Sequence, residues 1–365
     1  MKNYKTFIPL LFGCLCFSWF YSSCISEINF DLDGEELIVV SGVITNSTDE
    51  QFVLVTQTSS FIQNIDTLLV TGTVYKDGEP LMDMERDNFN RLVMPPGFTL
   101  EVGSSYHVEI TTPDNEILRS RPQVVQPKLG VDTMFFRIEE RFDGYNINDQ
   151  PINNQYVVAY AQVSVPDSID GPLYYRWTAD ESWSFFEVPD PGMPNRLDHV
   201  CYLTADIDEH PSTILTTRNL KSNSIAVEVA RRVLDPSFLY RHYFNANAHS
   251  IDSTAYEYYA KADRLISNAG TLYDEVPALL TGNVYKVDKE DEQVMGYVEF
   301  SIVNTSRLRI ENFEIGINQF NQCMTRNPCN PPIGTPGDTT TWYCMCYDCA
   351  HVFGFETLNK PSYWE

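Results

Sequence analysis

The chain has 365 residues and a formal net charge of -25 at pH 7, with 25 Lys and Arg against 50 Asp and Glu. A nucleic-acid surface needs clustered cations, so this acidic balance excludes nucleic acid as an expected partner and disfavours flat docking on anionic headgroups. The length exceeds one ordinary core and predicts two domains. With 21 Tyr, 21 Phe and 21 Pro and few long helical patterns, the chain is expected to be mainly β.

Residues 1–23 have the pattern of a lipoprotein signal peptide. Two lysines precede an apolar run of about fourteen residues, which is shorter than a spanning helix requires. Two serines then lead to Cys24, whose thiol would accept a diacylglycerol before cleavage. A soluble secreted protein with an ordinary cleavage point is the alternative. Residues 24–35 are polar and acidic, and they predict a tether that holds the folded part away from the membrane.

Residues 36–125 read as short strands separated by turns. Examples are "ELIVVSGVITN", "QFVLVTQTSS" and "TLLVTGTVYKDGEPL". Gly, Asp and Asn in "KDGEP" and "TPDNE" favour turns, because Gly adopts positive φ and Asp or Asn bonds its own backbone. Regular spacing of five or more strands predicts an Ig-like β-sandwich. The segment "RPQVVQPKLG" then predicts a linker.

Residues 126–318 predict a larger β-rich domain. The segments "VDTMFFRIEERF", "QYVVAYAQVSV" and "LYYRWTADESWSFFEV" read as strands, and the last two predict a hairpin across "PDSIDGP". Further strands are expected in "SIAVEVARRVL" and "FLYRHYFNANAHSI".

One amphipathic helix is predicted near residues 254–269. Thr254 as N-cap and Glu257 three residues later form a capping-box pattern. Gly270 would end the helix. The predicted apolar face consists of Tyr258, Ala262, Leu265 and Ile266.

Several motifs in a fixed order carry a family resemblance. A lipoprotein cysteine is followed by "ELIVVSGVITN", then by "GNVY" and "GYVEFSIVNTSRLRI", and finally by clustered cysteines and "KPSYW". The chain resembles the Bacteroidota lipoprotein family known as domain of unknown function 4249. This resemblance implies a two-domain β protein with an accessory role beside a TonB-dependent outer-membrane transporter. It implies no catalytic residues, and only Cys24 and the tail cysteines correspond to family features.

Cysteines dominate the tail, residues 319–365. After removal of the signal and lipidation of Cys24, an even number remains, which in an exported protein predicts three disulfides. Cys201 is expected to anchor the tail to the second domain, because the tail itself holds an odd number. A zinc site in "CMCYDC" and a redox centre are the alternatives. The disulfide candidates are Cys201, Cys323, Cys329, Cys344, Cys346 and Cys349.

Other chemistry is sparse in the sequence. The sequence contains no nucleophile elbow, no dinucleotide-binding glycine loop and no metal-binding histidine spacing. The histidines, among them His242 and His249, are therefore interpreted as ordinary strand or surface residues. A row of aromatic residues provides a possible stacking platform for sugars or peptides, with the core as the alternative location: Tyr174, Tyr175, Trp177, Trp183, Phe185 and Phe186.

The expected function is that of a non-enzymatic lipoprotein without cofactor or metal. It would be anchored in the outer membrane by lipid, exposed at the cell surface, and would bind or assist a TonB-dependent transporter in nutrient uptake. An envelope hydrolase acting on glycans or peptides is one alternative, which requires two carboxylates, or a His with a nucleophile, in one pocket. A structural component of an outer-membrane complex is the other.

Overall fold

A computed structural model gives the fold of this chain. It describes residues 37–47, 51–58, 66–164, 171–187, 199–207, 213–218, 224–268, 280–316, 349 and 355–364. The predicted signal peptide, the tether and most of the Cys-rich tail lie outside these residues. The prediction of a mainly β protein is confirmed.

The described residues form nineteen strands, two α-helices and two short 3-10 helices. The strands of the first part are β1 Ile38–Thr45, β2 Phe52–Gln57, β3 Asp66–Thr67, β4 Thr71–Lys76, β5 Glu79–Arg86, β6 Leu92–Val93, β7 Ser105–Thr111, β8 Ile117–Ser120 and β9 Gln123–Val124. The following strands are β10 Val131–Tyr145, β11 Pro151–Ser164, β12 Tyr174–Phe186, β13 Val200–Asp206, β14 Thr213–Thr216, β15 Ser224–Val233, β16 His242–Ile251, β17 Val284–Lys286, β18 Val294–Met295 and β19 Val298–Ile310. The helices are α1 Ser253–Asn268, α2 Asn312–Ile315 and the 3-10 turns Pro236–Leu239 and Phe355–Leu358.

One long mixed sheet runs through the described chain in the order β13-β12-β16-β19-β1-β2-β6-β5-β4-β7-β8-β17. Strand β1 pairs parallel with β18 and β19, so that Gly42 faces Val298 and Thr45 faces Ser301. The remaining pairs along this path are antiparallel. The first strand and the last long strand of the described chain are therefore neighbours.

The N-terminal β unit is built from two segments of the chain. Its core combines residues such as Val40, Val74 and Tyr106 with Val298 and Phe300 from the C-terminal part. Strand β17 extends the sheet beyond β8, and β18 and β19 pair with β1. The predicted strands between residues 36 and 125 are thus completed by strands that follow the helix in sequence.

The second β unit packs two sheets face to face. Strands β10, β11 and β15 form a three-stranded sheet. Apolar residues of β11, such as Val157 and Ala159, share a core with Trp177 of β12 and Phe244 of β16. The predicted β11–β12 hairpin is wrong, because the two strands lie in different sheets: β12 pairs with β13, β14 and β16 instead. Burial of both apolar faces against each other is the physical reason.

Helix α1 occurs where the sequence predicts it, but its N-cap and its buried face differ. The backbone N–H of Ala255 donates to Asp252 Oδ1 at 2.8 Å, so Asp252 caps the helix and Thr254 does not. Ile266 is exposed, whereas Tyr258 packs against Tyr297 with ring centroids 4.7 Å apart. Gly270 lies outside the described residues. No helix in the described ranges has the length and apolarity needed to cross a membrane.

Two glycines allow the close approach beside β1. A methyl group on Gly282 would overlap the carbonyl oxygen of Gly296, and one on Gly296, whose φ is +90°, would overlap the carbonyl oxygen of Val40. Next to them, Asn283 is buried and both donates to Val298 O at 2.8 Å and accepts from Val298 N at 2.9 Å. This junction requires glycine because backbone atoms occupy the space of a side chain.

We expect Gly282→Ala to lower the free energy of unfolding by more than about 2 kcal/mol, because the backbone at Gly296 cannot move without breaking the β1 pairing. Urea unfolding followed by tryptophan fluorescence measures the change. Gly130→Ala is the matched control, since Gly130 has a negative or extended φ and open space around its Cα; its effect should stay within about 0.5 kcal/mol. If the two variants unfold at the same urea concentration, the junction does not require glycine at position 282.

Candidate functional site

A disulfide between Cys201 and Cys349 ties the tail to strand β13. The backbone N–H of Cys349 also donates to Glu187 Oε1 at 2.8 Å. Glu187, Cys201 and Cys349 are the group of potential metal ligands that the described residues bring together, but the bonded sulfurs cannot act as thiolates. Cys349 is therefore not available as a ligand for the zinc site that the sequence allowed as an alternative. Cys24 and the other four tail cysteines lie outside the described residues.

The six aromatic candidates do not form one platform. Tyr175, Trp177 and Phe185 are buried in the protein interior, as the core alternative requires. Side chains alternate between the two faces of a strand, so Tyr174 and Phe186 lie on the opposite face. There they are far apart along β12 and contact different aromatic rings, those of Tyr256 and Tyr240 respectively. Trp183 is half-buried and stacks parallel to the ring of His242.

The outer face of strands β12, β16 and β19 is polar. These strands are adjacent and antiparallel, and their other face supplies the core of the second unit. Side-chain bonds connect the strands: Asn245 donates to Asp180 at 2.6 Å and Thr305 donates to Asn247 at 2.7 Å. The polar positions, by alternation, are Arg176, Thr178, Asp180, Asn245, Asn247, His249, Glu299, Ser301 and Thr305.

A pocket of about 340 Å³ opens on this polar face. Its floor is provided by β12, β16 and β19, and its wall by the end of β1 and the residues that follow. Hydrogen bonds fix the wall: Thr45 N donates to Gln51 Oε1 at 2.7 Å, and Val303 N donates to Asn46 Oδ1 at 2.6 Å. The lining residues are Val43, Thr45, Asn46, Ser47, Gln51, Thr178, Asn247, His249, Val303 and Thr305.

A buried ion pair lies directly beneath His249. Arg176 donates through Nε and Nη2 to Glu299 at 3.0 and 3.1 Å, and its guanidinium lies 4.5 Å from the ring centre of Tyr259. Burial alone would raise the pKa of Glu299, but the charge of Arg176 and hydrogen bonds from His249 and Arg176 hold it well below its usual range. Burial, together with the charge of Glu299, raises the pKa of Tyr259. Glu299 is therefore ionised and paired at neutral pH.

His249 connects this ion pair to the pocket. Burial and the nearby charge of Arg176 lower the pKa of His249, so its ring is neutral at neutral pH. Its Nδ1 lies 3.0 Å from Glu299 Oε1. An ionised carboxylate can only accept, so Nδ1 carries the hydrogen and Nε2 is the acceptor. The Thr178 hydroxyl, 3.2 Å from Nε2, then donates to it.

The arrangement has the order hydroxyl, imidazole, carboxylate. Thr178, His249 and Glu299 lie on three different strands, and the hydrogen-bonded pairs are 71 and 50 positions apart in sequence. No short motif contains them, so the sequence interpretation of His249 as an ordinary strand residue missed its place in the pocket. The polar alternation of the strand "HYFNANAHSI" is the signal that could have indicated this face.

The geometry defines a β protein with a polar pocket on one sheet face. The chain belongs to the family described as domain of unknown function DUF4249, whose model matches residues 25–307. The match includes every residue that lines the pocket. A comparison with curated proteins finds no match.

We expect Glu299→Ala to lower the free energy of unfolding by about 3–5 kcal/mol, because it leaves the Arg176 charge buried without a partner. The double variant Arg176→Met with Glu299→Leu should recover most of that loss, since no buried charge remains. Lys289→Ala removes the exposed ion pairs of Lys289 with Glu116 and Glu292 and should leave the free energy of unfolding nearly unchanged. Urea unfolding measures the free energy of unfolding of the three variants. A double variant that is less stable than Glu299→Ala would contradict this view of the network.

The lowered pKa of His249 should make the stability of the protein depend on pH. Below the ordinary His pKa of about 6.5, unfolded chains bind a proton at His249 that the folded protein excludes, so stability falls as pH drops, by at most about 1.4 kcal/mol per pH unit for one proton. His249→Gln should therefore lose less stability than the wild type between pH 7.5 and 5.5. Burial also lowers the pKa of His107. This residue contributes equally to the pH dependence of the wild type and of the His249→Gln variant.

Unfolding in urea at several pH values provides the measurement for this prediction. Thr305→Ala changes a residue that lines the same pocket and does not titrate, and it should keep the wild-type pH dependence. A His249→Gln variant with the full wild-type slope would show that folding does not lower the pKa of His249.

Proposed function

We propose that this chain is a non-enzymatic binding protein that holds a small, uncharged, hydrogen-bonding ligand in the pocket beside His249. The lining of the pocket carries the proposal. Eight of its ten residues offer a hydroxyl, an amide or an imidazole, two are valines, and none is charged while His249 is neutral. Directed polar groups in a concave site are the usual basis of specific small-molecule recognition.

The chemistry of the lining favours hydroxyl-rich or amide-rich ligands. A charged ligand would lose hydration without meeting an opposite charge in the lining, which is unfavourable. Anionic ligands face the additional repulsion of a chain with a net charge of -25. Short neutral glycans and neutral peptide segments, which both donate and accept hydrogen bonds, match the amides and hydroxyls of the pocket. These two classes are the proposed ligands.

Sequence features support a location for this binding protein at the bacterial outer membrane. The apolar segment of residues 1–23, Cys24 and the acidic residues 24–35 fit a lipid-anchored protein held away from the membrane on a tether. The proposed partner is a TonB-dependent transporter, to which the chain would supply ligand during nutrient uptake. The resemblance to Bacteroidota lipoproteins supports this partner.

One observation favours a hydrolase as the second candidate. The Thr178 hydroxyl donates to His249, and His249 donates to ionised Glu299, which is the relation among nucleophile, base and orienting carboxylate in acyl-transfer enzymes. In such a step, Thr178 Oγ1 would attack a carbonyl carbon while its proton passes to His249 Nε2. That proton would then pass to the leaving alcohol or amine, and water would release the acyl group from Thr178.

Calorimetric titration with neutral di- to tetrasaccharides and neutral tripeptides tests the binding proposal. We expect at least one class to bind and Val43→Trp, which fills the pocket mouth, to weaken binding at least tenfold, about 1.4 kcal/mol. Leu69→Trp is the matched control, because Leu69 is an exposed aliphatic residue that does not line the pocket. Absence of millimolar or tighter binding, or equal binding by both variants, would count against the proposal.

Mass spectrometry of the same mixtures separates binding from hydrolysis. The binding proposal expects ligands to be recovered intact, and Thr178→Val, which keeps the shape of the side chain, to reduce affinity only modestly. Cleaved products that disappear with Thr178→Val would instead support the hydrolase. Cleavage that Thr178→Val leaves unchanged would point to a contaminating enzyme.

A further inference from the structure

The β10–β11 hairpin extends beyond the sheet to which it belongs. Strands β10 and β11 pair from Val131 and Val163 as far as Tyr145 and Pro151, whereas β15 pairs with β11 only between residues 156 and 164. Residues 140–155 therefore form a two-stranded projection, here called the ribbon. At about 3.3 Å per residue, its strands reach roughly 15 Å past the third strand.

One face of the ribbon continues the apolar face of the core. Met134 and Phe136 of β10 pack against the core of the second unit, and alternation places Glu140 and Phe142 on the same side. Beyond the core nothing in the described chain covers these positions. Phe142 is 55% exposed, Tyr145 is 67% exposed and Ile147 at the turn is 100% exposed.

The exposed rings form a small ordered cluster. The centroids of Phe142 and Tyr145 lie 5.0 Å apart in an edge-to-face arrangement. The turn beside them is fixed by Asn146, whose Oδ1 accepts from Asn148 N at 2.8 Å and from Gln150 N at 3.0 Å. A structured turn that presents large apolar side chains to solvent is unfavourable for a free monomer, and such exposure marks interaction surfaces.

The carboxylates on the polar face of the ribbon have hydrogen-bond partners, whereas the one on the apolar face forms no ion pair with a described residue. On the polar face, Glu139 accepts from Tyr160 at 2.6 Å and from Arg141 at 2.7 Å, and Asp143 accepts from Tyr156 at 2.6 Å. On the apolar face, Glu140 is exposed and forms no ion pair with any described residue. The apolar face thus combines large hydrophobic side chains with a carboxylate that pairs with none of the described residues.

We propose that the apolar face of the ribbon, with Phe142, Tyr145 and Ile147 at its end, docks into an apolar groove of a partner protein that places a Lys or Arg opposite Glu140. An anionic membrane surface would repel Glu140 and this acidic chain. A second copy packed by the same face would place two Glu140 carboxylates in one interface without supplying a cation from that face. A protein groove with a cationic rim satisfies both the apolar residues and the carboxylate.

The inference rests on the proposed function for the identity of the partner, the outer-membrane transporter. The test uses the tagged full-length chain in its native host, with the transporter quantified by mass spectrometry after detergent extraction and pull-down. Phe142→Thr combined with Ile147→Thr should reduce recovery at least tenfold, and Glu140→Lys should also reduce it. Phe142→Tyr, which retains the aromatic ring, should bind as the wild type does.

Ile152→Thr is the matched control on the opposite face of the ribbon. Ile152 is an exposed isoleucine of β11 that alternates away from the face shared by Asn153 and Phe142, so its variant should recover the transporter normally. Wild-type recovery by the Phe142/Ile147 double variant would overturn the ribbon inference and leave the proposed function standing. No transporter with any variant, including the wild type, would reject both.

Two further measurements test whether the apolar face of the ribbon contacts a membrane or a second copy of the chain instead. An Ile147→Trp variant of the lipidated chain, placed in phosphatidylethanolamine and phosphatidylglycerol vesicles without transporter, should show the emission of a water-exposed indole. A blue shift there would assign the ribbon to the membrane and overturn the inference. Sedimentation of the detergent-purified chain alone should show a monomer, and a dimer that the Phe142/Ile147 double variant dissociates would assign the face to self-association.

Discussion

The parallel pairing of β1 with β19 is the constraint on which the rest of the structure depends. It joins the N-terminal strands to the second unit in one sheet and places Thr45 beside Ser301. The pocket needs both partners, because β1 and the residues after it provide its wall and β19 part of its floor. Gly282 and Gly296 make this pairing possible by giving up the space of a side chain. The fold and the pocket therefore both depend on the same contact, the pairing of β1 with β19.

The buried Glu299 network opposes a shift in the register of β19 against β16 and β12. Removing two charges from water costs several kcal/mol each, and the pair with Arg176 compensates only when its hydrogen bonds are complete. A shift of β19 by one residue would turn Glu299 toward the apolar core of the N-terminal β unit, to which Val298 and Phe300 belong. This register also delivers His249 to the pocket in one tautomer.

Local patterns predicted the strands and the helix, while long-range pairing was beyond them. Alternation and turn residues indicated the β class, and helix α1 occurs within a residue of its expected start. The N-cap was predicted wrongly as Thr254: helix α1 begins at Ser253, and Asp252 accepts the hydrogen bond from the backbone N–H of Ala255. The bond between Asn46 and Val303 spans 257 positions, and no local signal encodes such a contact. The pocket was missed for the same reason, since its residues converge only after β1 meets β19.

Helix α1 and the C-terminal residues cover the two ends of the polar face. At one end of the face, tyrosines of α1 contact Tyr174 and Tyr297. At the other end, Tyr363 lies 2.9 Å from Ser182 Oγ and beneath the guanidinium of Arg307. These contacts leave the middle of the face accessible. The Cys201–Cys349 disulfide holds the chain close to β13 shortly before Tyr363. The cysteines thus act on the site indirectly, by limiting where the tail can lie and so which part of the polar face remains open to a ligand.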